Sequence, residues 1–327
     1  MTYWIVLILS LASHLATAQG FDATPGAVSK TVTPANAAGG ARPYVLENTE
    51  VRAIHAKSLQ RDYQLFASLP ASYQSHPERD YPVLFVTDAN YAFPLIRSVT
   101  NRVGDHGAGL AEFIMIGLSY ADGETPRFSR NRDYTPTPNG KNLSSDMPGR
   151  IQRHGESEAY RAFIANEVFP LVAATWRVDM QHKTFVGHSY GALLGLQILL
   201  TQPDMFENYI LGSPSFWFDH KVMFAREEAY AKTHRDLPAH IYMAVGGFET
   251  LRPGAHDARY NDTDDMVADM QAFARKLASR HYPHLSVESH VIPDEDHLSV
   301  FPALITRGLK WAYPPARRPP GDAPAHR

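Results

Sequence analysis

None of the 327 residues is a cysteine. That absence excludes disulfides, thiolate nucleophiles and cysteine-based zinc sites together. The chain has 31 basic and 34 acidic side chains, a formal net charge of −3, so no overall field gathers nucleic acid or a membrane surface. No His-Glu-x-x-His or comparable histidine spacing occurs, so no metal and no cofactor is expected. Beyond Ala12 no apolar run is long enough to be a transmembrane helix. No internal repeat is visible. What is present is the composition of an ordinary globular protein.

The start and end of the chain differ from its middle. Met1–Ala12 is an apolar core, followed by Ala16-Thr17-Ala18, a small-x-small cleavage signal. Residues 1–18 read as a secretory signal peptide, although no Lys or Arg precedes the apolar core. The other reading is a retained N-terminal anchor, and either one places the protein in the periplasm or outside the cell. Residues 19–43 are rich in Ala, Gly, Pro and Thr and read as a flexible linker. Residues 44–314 read as one domain, and 315–327 as a disordered tail.

Within the domain, Glu50–Ala56 and Tyr63–Pro70 alternate polar and apolar residues, as half-buried antiparallel strands do. Then the pattern changes. Pro82–Val86, Phe113–Leu118, Thr184–Val186, Tyr209–Leu211 and Ile241–Val245 are continuous apolar runs, the mark of strands buried on both faces of a parallel sheet. Helical stretches are expected around Phe93–Val103, Glu156–Trp176, Ala192–Gln202, His220–Lys232 and Asp264–Arg280. A last strand, Leu285–Val291, precedes a final helix from about Leu298 to Trp311. This alternation predicts an α/β fold, a mostly parallel sheet with helices on both faces.

The chemistry centres on Gly187-His188-Ser189-Tyr190-Gly191. An apolar strand leads into it and a helix-forming run leaves it, which is the context of a nucleophile elbow. The turn lifts the Ser189 hydroxyl above the carboxyl edge of the sheet. Gly187 and Gly191 are small because strand and helix pass close together there. The Tyr190 backbone N–H is aimed where a substrate oxyanion would form. His188 packs beside the elbow.

A serine nucleophile needs a base, and His297 lies on a polar loop after the last strand, within reach of a central strand end. His154, His182 and His220 are expected at the surface. An acid should lie between serine and histidine in chain order. Glu249 is the first one after the Ile241–Val245 strand, with Asp219 as the alternative; without either, the site is a Ser-His dyad. The second oxyanion donor is expected from the Ala89 or Asn90 amide, in the loop after the Pro82–Val86 strand.

These motifs, together with Tyr81–Asp88, Arg130–Pro136, Phe163–Pro170, Gly212–Trp217 and Asp296-His297, resemble the esterase-D-like esterases of the α/β-hydrolase superfamily. Among them the chain is most similar to periplasmic siderophore trilactone esterases. The resemblance covers nearly everything from Val51 to Tyr313. It implies the α/β-hydrolase fold, Ser189 as nucleophile, His297 as base, and Arg130 and Trp217 lining the pocket; His188, next to the serine, is the third candidate substrate-binding residue. It also allows a site without the acid. Two departures touch the pocket rim: Thr87-Asp88-Ala89 where the family often has Leu-Asp-Gly, and Arg153–Glu156 where a Gly-Gly pair is common.

The resulting expectation is an exported serine ester hydrolase working through an acyl-enzyme. Arg127, Arg130, Arg132, Lys141, Arg150 and Arg153 fall on one stretch, read as a loop. A cationic rim beside aromatics suits a large anionic aromatic ligand such as a ferric tris-catecholate trilactone. The alternatives are a generic carboxylesterase or an acyltransferase acting on small acyl or acyl-sugar esters. A non-catalytic binding protein would not need the serine, histidine and elbow glycines that are all present.

Overall fold

Two strands, β1 (Thr49–Ala56), buried only at Ile54 and Ala56, and β2 (Arg61–Ser68), which alternates in burial, pair antiparallel at one edge of an eight-stranded sheet. The computed structural model describes residues 43–104, 109–141 and 143–315, and from Leu46 onward these form one compact unit. The expected signal peptide, all but the last residue of the expected linker, and the tail beyond 315 lie outside the described residues.

β3 (Tyr81–Val86) leads into α1 (Ala89–Val103), and β4 (Ile114–Leu118) into α2 (Pro126–Asp133). Then come α3 (Ser157–Phe163), a π turn over Ile164–Val168, and α4 (Phe169–Thr175). β5 (Val178–His188) feeds α5 (Tyr190–Thr201), β6 (Asn208–Gly212) feeds α6 (Val222–Thr233), and β7 (Ala239–Gly246) feeds α7 (Met266–Ala278). β8 (Leu285–Ile292) and α8 (Val300–Ala312) end the domain. The spatial order is β1-β2-β4-β3-β5-β6-β7-β8. β2 meets β4 antiparallel, and every later neighbour pair is parallel.

The continuous apolar runs are explained by two cores. On β3, Val83 and Phe85 enter one core while Leu84 and Val86 enter the other, and β7 splits Ile241 and Met243 from Tyr242 and Ala244 likewise. A strand with cover on both faces needs apolar residues at every position. One core is closed by α3 to α7, the other by α1 and α8.

α5 is apolar almost all round and its residues from Gly191 to Leu199 are buried. Each buried Leu or Ile contributes about 1.5–3 kcal/mol. The helix carrying the elbow is therefore fixed by five of them, Leu193, Leu194, Leu196, Ile198 and Leu199.

Two elements depart from the sequence-based expectation. The stretch from Arg127 to Arg153 is not loop throughout, because α2 occupies its start; Thr125 caps that helix by accepting from the Phe128 N–H, with Pro126 in the first turn. The expected helix Glu156–Trp176 is interrupted by the π turn just ahead of Pro170. Proline has no N–H to give the carbonyl four residues back, and widening the preceding turn accommodates that loss.

Candidate active site

β5 ends at His188 and α5 begins at Tyr190, so one residue, Ser189, makes the whole turn. Its backbone sits at φ 59° and ψ −116°, a region dominated by glycine and strained for any residue with a Cβ. The flanking glycines are required by contact. A Cβ on Gly187 would stand 2.3 Å from the Gly191 carbonyl oxygen, and one on Gly191 would stand 2.3 Å from Thr87 Oγ1. The turn is held by the Ser189 N–H donating to the Gly212 carbonyl at 2.8 Å.

His297 lies in the turn between β8 and α8. Asp296 holds that turn, accepting from the backbone N–H groups of Leu298 and Ser299 at 2.8 and 2.9 Å. Gly246, at the end of β7, lets the histidine loop come close: a Cβ there would be 2.4 Å from the Glu295 carbonyl oxygen. From this position the Ser189 hydroxyl donates to His297 Nε2 at 3.0 Å, and His297 Nδ1–H donates to Glu249 Oε2 at 2.7 Å. Glu249 is 1% exposed and its other oxygen accepts from Ser213 Oγ at 2.6 Å and the Gly246 N–H at 2.8 Å. A buried carboxylate supplied with three donors stays an acceptor, which fixes the His297 proton on Nδ1 and leaves Nε2 free to take one. Asp219 is elsewhere, accepting from Thr137 Oγ1 at 2.6 Å and Asn139 Nδ2 at 3.1 Å.

Ser213 and Ser215 carry no catalytic motif of their own in the sequence, yet the structure brings both to the relay. Ser213 holds Glu249, and Ser215 Oγ lies 3.3 Å from Ser189 Oγ. The signal that could find them is positional: they follow β6, the strand beside the one that leads into Ser189.

Tyr190 and Ala89 are the first residues of α5 and α1, and Asn90 is the second of α1. Their N–H groups precede the first intrahelical acceptor and remain available to a ligand. β3 and β5 are parallel neighbours, so both helices open at the same edge of the sheet, beside Ser189. The Ala89 side chain is fully buried, and Gly117 on β4 leaves the room for it: a Cβ on Gly117 would be 2.8 Å from the Ala89 Cβ. The departure from glycine at Ala89 is thus absorbed inside the sheet and does not reshape the pocket rim.

His188 is buried rather than set on a pocket wall. Its ring lies 4.8 Å from that of His297 and 5.6 Å from that of Phe301, centroid to centroid. Burial, and then the neighbouring His297 and Arg130 charges, hold its pKa well below the ordinary histidine range. A neutral His188 places no second positive charge against an imidazolium at His297. His182 and His220 are exposed as expected, but His154 is buried, packed against Gly140 and near Phe218.

Trp217 is half-buried with its ring 5.9 Å from that of Tyr190, and Lys141 Nζ sits 5.3 Å from its centroid. The cationic stretch divides in two. Arg132 and Arg150 pair with Glu124 at 2.7 and 2.6 Å, Arg132 also with Asp133, and Arg130 with Asp88 at 2.7 Å. Among the described residues, Arg127, Lys141 and Arg153 have no carboxylate within salt-bridge range, and all three are exposed. No group of three His, Asp or Glu among the described residues is placed to hold a metal ion, and no helix among them is long and apolar enough to cross a membrane.

The family model described as "Putative esterase" matches residues 56–284, from the end of β1 to the start of β8. The chain belongs to this esterase family. It is a carboxylic ester hydrolase, and the family match spans the elbow and Glu249, with His297 beyond it. One esterase relative is the ferri-bacillibactin esterase BesA of Bacillus subtilis, 29% identical over 283 residues, covering 85% of this chain and 93% of its own. A second is the siderophore triacetylfusarinine C esterase of Aspergillus fumigatus, 25% identical over 246 residues, 71% of this chain and 81% of that protein. The same esterase fold recurs in the BES protein from Bacillus cereus, at a TM-score of 0.68 and 24% identity over 85% of this chain and 99% of that one.

Proposed function

We propose that this esterase is an exported serine hydrolase that cleaves the ester bonds of a catecholate trilactone siderophore. The observation that carries the hydrolase reading is the unbroken relay from the Ser189 hydroxyl through His297 to a buried, fully partnered Glu249. His297 Nε2 takes the Ser189 proton as Oγ attacks the ester carbonyl. The tetrahedral oxyanion is received by the Tyr190 and Ala89 or Asn90 amides. His297 returns the proton to the leaving alcohol, an acyl-enzyme remains, and a water activated by the same imidazole releases the acid.

The substrate class is supported by the mouth of the site and by the relatives. The Trp217 and Tyr190 rings and the exposed Lys141 offer aromatic and cationic contact together. Both relatives are named for siderophore esters. Residues 1–18 support export.

A second reading, a carboxylesterase of small esters, is favoured by one observation. Arg130, Arg132 and Arg150 are already matched by Asp88, Glu124 and Asp133, so part of the cationic stretch serves the fold. Turnover of ferric and iron-free catecholate trilactones beside short p-nitrophenyl esters separates the two. The siderophore reading expects kcat/KM to be highest on a trilactone. Lys141→Ala should then raise KM for the trilactone about two- to fivefold, the equivalent of about 0.5–1 kcal/mol for an exposed cation–π contact, and leave p-nitrophenyl acetate unchanged. Preference for the short esters would move the assignment to the second reading. Product analysis with an added acceptor alcohol distinguishes hydrolysis from acyl transfer.

A further inference from the structure

Asp88 is 1% exposed, carries a positive φ of 57°, and stands immediately before the first amide of α1. Neither of its carboxylate oxygens has a well-aligned hydrogen bond among the described residues; Arg130 Nε is 2.7 Å from Oδ1 but off the hydrogen-bond axis. The Tyr120 phenol is a second, poorly aligned polar neighbour of Asp88: after burial, the Asp88 charge and then a side-chain hydrogen bond to Asp88 raise its pKa. The Arg130 guanidinium also donates through Nη2 to the carbonyl of His188 at 3.4 Å, the residue before Ser189. Arg130 itself lies among Tyr134 and Tyr190, with its side chain one-quarter exposed.

We propose that Arg130 and Asp88 form a positioning pair that sets the distance between the two amide donors of the oxyanion hole. The inference rests on the hydrolase reading. It departs from the expectation that Arg130 is a pocket-lining contact, and from a pairing of Arg130 with Asp133, whose carboxylate is taken by Arg61 and Arg132.

β3 and β5 run in register as far as Val86 and Val186, and the Thr87 N–H still reaches the Val186 carbonyl at 3.1 Å. Beyond that point the two chains separate, one into Asp88 and α1, the other into Ser189 and α5. One donor, Tyr190, is on the second path; the other, Ala89 or Asn90, is on the first. No ladder bond joins the paths there. Arg130 does, with one edge on Asp88 and another on His188. The planar fork of Arg130 holds its two contacts at a fixed spacing, which an ammonium on a flexible stem does not reproduce. A buried carboxylate without aligned hydrogen bonds is costly in a fold, and exchanging the pair for neutral groups is often harmless to stability. Its presence beside the amide donors is therefore accounted for by what it positions. Hydrogen-bond donors for a developing oxyanion act through their placement, so a small change in their separation falls on the transition state and leaves substrate binding alone.

The test compares Arg130→Lys, Asp88→Asn and the neutral double variant Asp88→Asn/Arg130→Gln with wild type, on p-nitrophenyl acetate and on an anionic trilactone. Each single variant is expected to lose about tenfold to a hundredfold in kcat on the neutral ester, with KM within about twofold; removing a donor outright costs about 10²–10³. Affinity for an arylboronic acid, which presents a tetrahedral anion to Ser189, should fall in parallel, while affinity for the product acid should hold. The double variant should lose no more than the worse single one, because the two side chains act as a unit. Because it leaves no unpaired buried charge, it keeps the test open if a single variant fails to fold. Three results would overturn the pairing role: a KM increase confined to the anionic substrate, a lowered melting temperature with kcat intact, or losses that add in the double variant. If wild type cleaves no ester, the hydrolase reading falls and this inference with it; if wild type is active and the double variant matches it, only the inference falls.

Discussion

Ser189→Ala is expected to lower kcat for any ester the protein cleaves by about 10⁶, His297→Ala by nearly as much, and the double variant no further than the worse of the two. The reason lies in the 3.0 Å contact between Ser189 Oγ and His297 Nε2. Without the hydroxyl there is nothing to deprotonate, and without the imidazole the hydroxyl stays a poor nucleophile. What survives is the residual catalysis of the oxyanion donors and binding. The fold should hold in both variants, because among the described residues Ser189 Oγ hydrogen-bonds with His297 and Ser215 alone and the His297 side chain is partly exposed. Turnover of p-nitrophenyl acetate with melting curves for all three variants is the measurement. A double variant far slower than either single one would mean that the two residues do not belong to one catalytic unit.

Glu249→Gln is the second large effect. An amide can turn its N–H₂ toward His297 Nδ1, and the imidazole would then keep its proton on Nε2, where it cannot accept from Ser189. A loss of about 10³–10⁴ in kcat is expected by analogy with the tautomer effect in Ser-His-Asp sites. KM should change little, since Glu249 is buried behind the histidine and touches no substrate. A loss under about tenfold would mean that the site works as a pair and that Glu249 mainly fastens the Ser213 hydroxyl and the Gly246 N–H. Asp219 offers no rescue, being committed to Thr137 and Asn139.

The sheet could be read from sequence because its strands are covered on both faces, and short continuous apolar runs such as Phe113–Leu118 arise mainly in strands of that kind. Ser189 was legible because glycine is forced at Gly187 by the Gly191 backbone and at Gly191 by the Thr87 side chain. His297 and Glu249 were reachable by chain order alone, since each lies just past the end of a strand on one side of the sheet. α2 was not legible. Its inward face is Ser129, Arg132 and Asp133 with a single large apolar residue, Phe128, so no apolar period exists to be seen. Only the Thr125-Pro126 start carried a signal. The pairing of Arg130 with Asp88 joins residues far apart in the chain through a tertiary contact. The nearer acid in sequence, Asp133, sits within one turn of Arg130 but is occupied by Arg61 and Arg132.

The backbone angle at position 189 has a consequence for descent. A φ of 59° with ψ of −116° belongs to glycine, and holding serine there costs about 1–3 kcal/mol. Glycine would return that amount less about 0.5–1 kcal/mol for its freer unfolded chain. Ser189→Gly should therefore melt slightly above wild type while being inert, which differential scanning calorimetry can read directly. Activity in this scaffold is thus maintained against a thermodynamic slope. Selection for stability alone would favour glycine at this position, keeping the cleft and losing the hydroxyl.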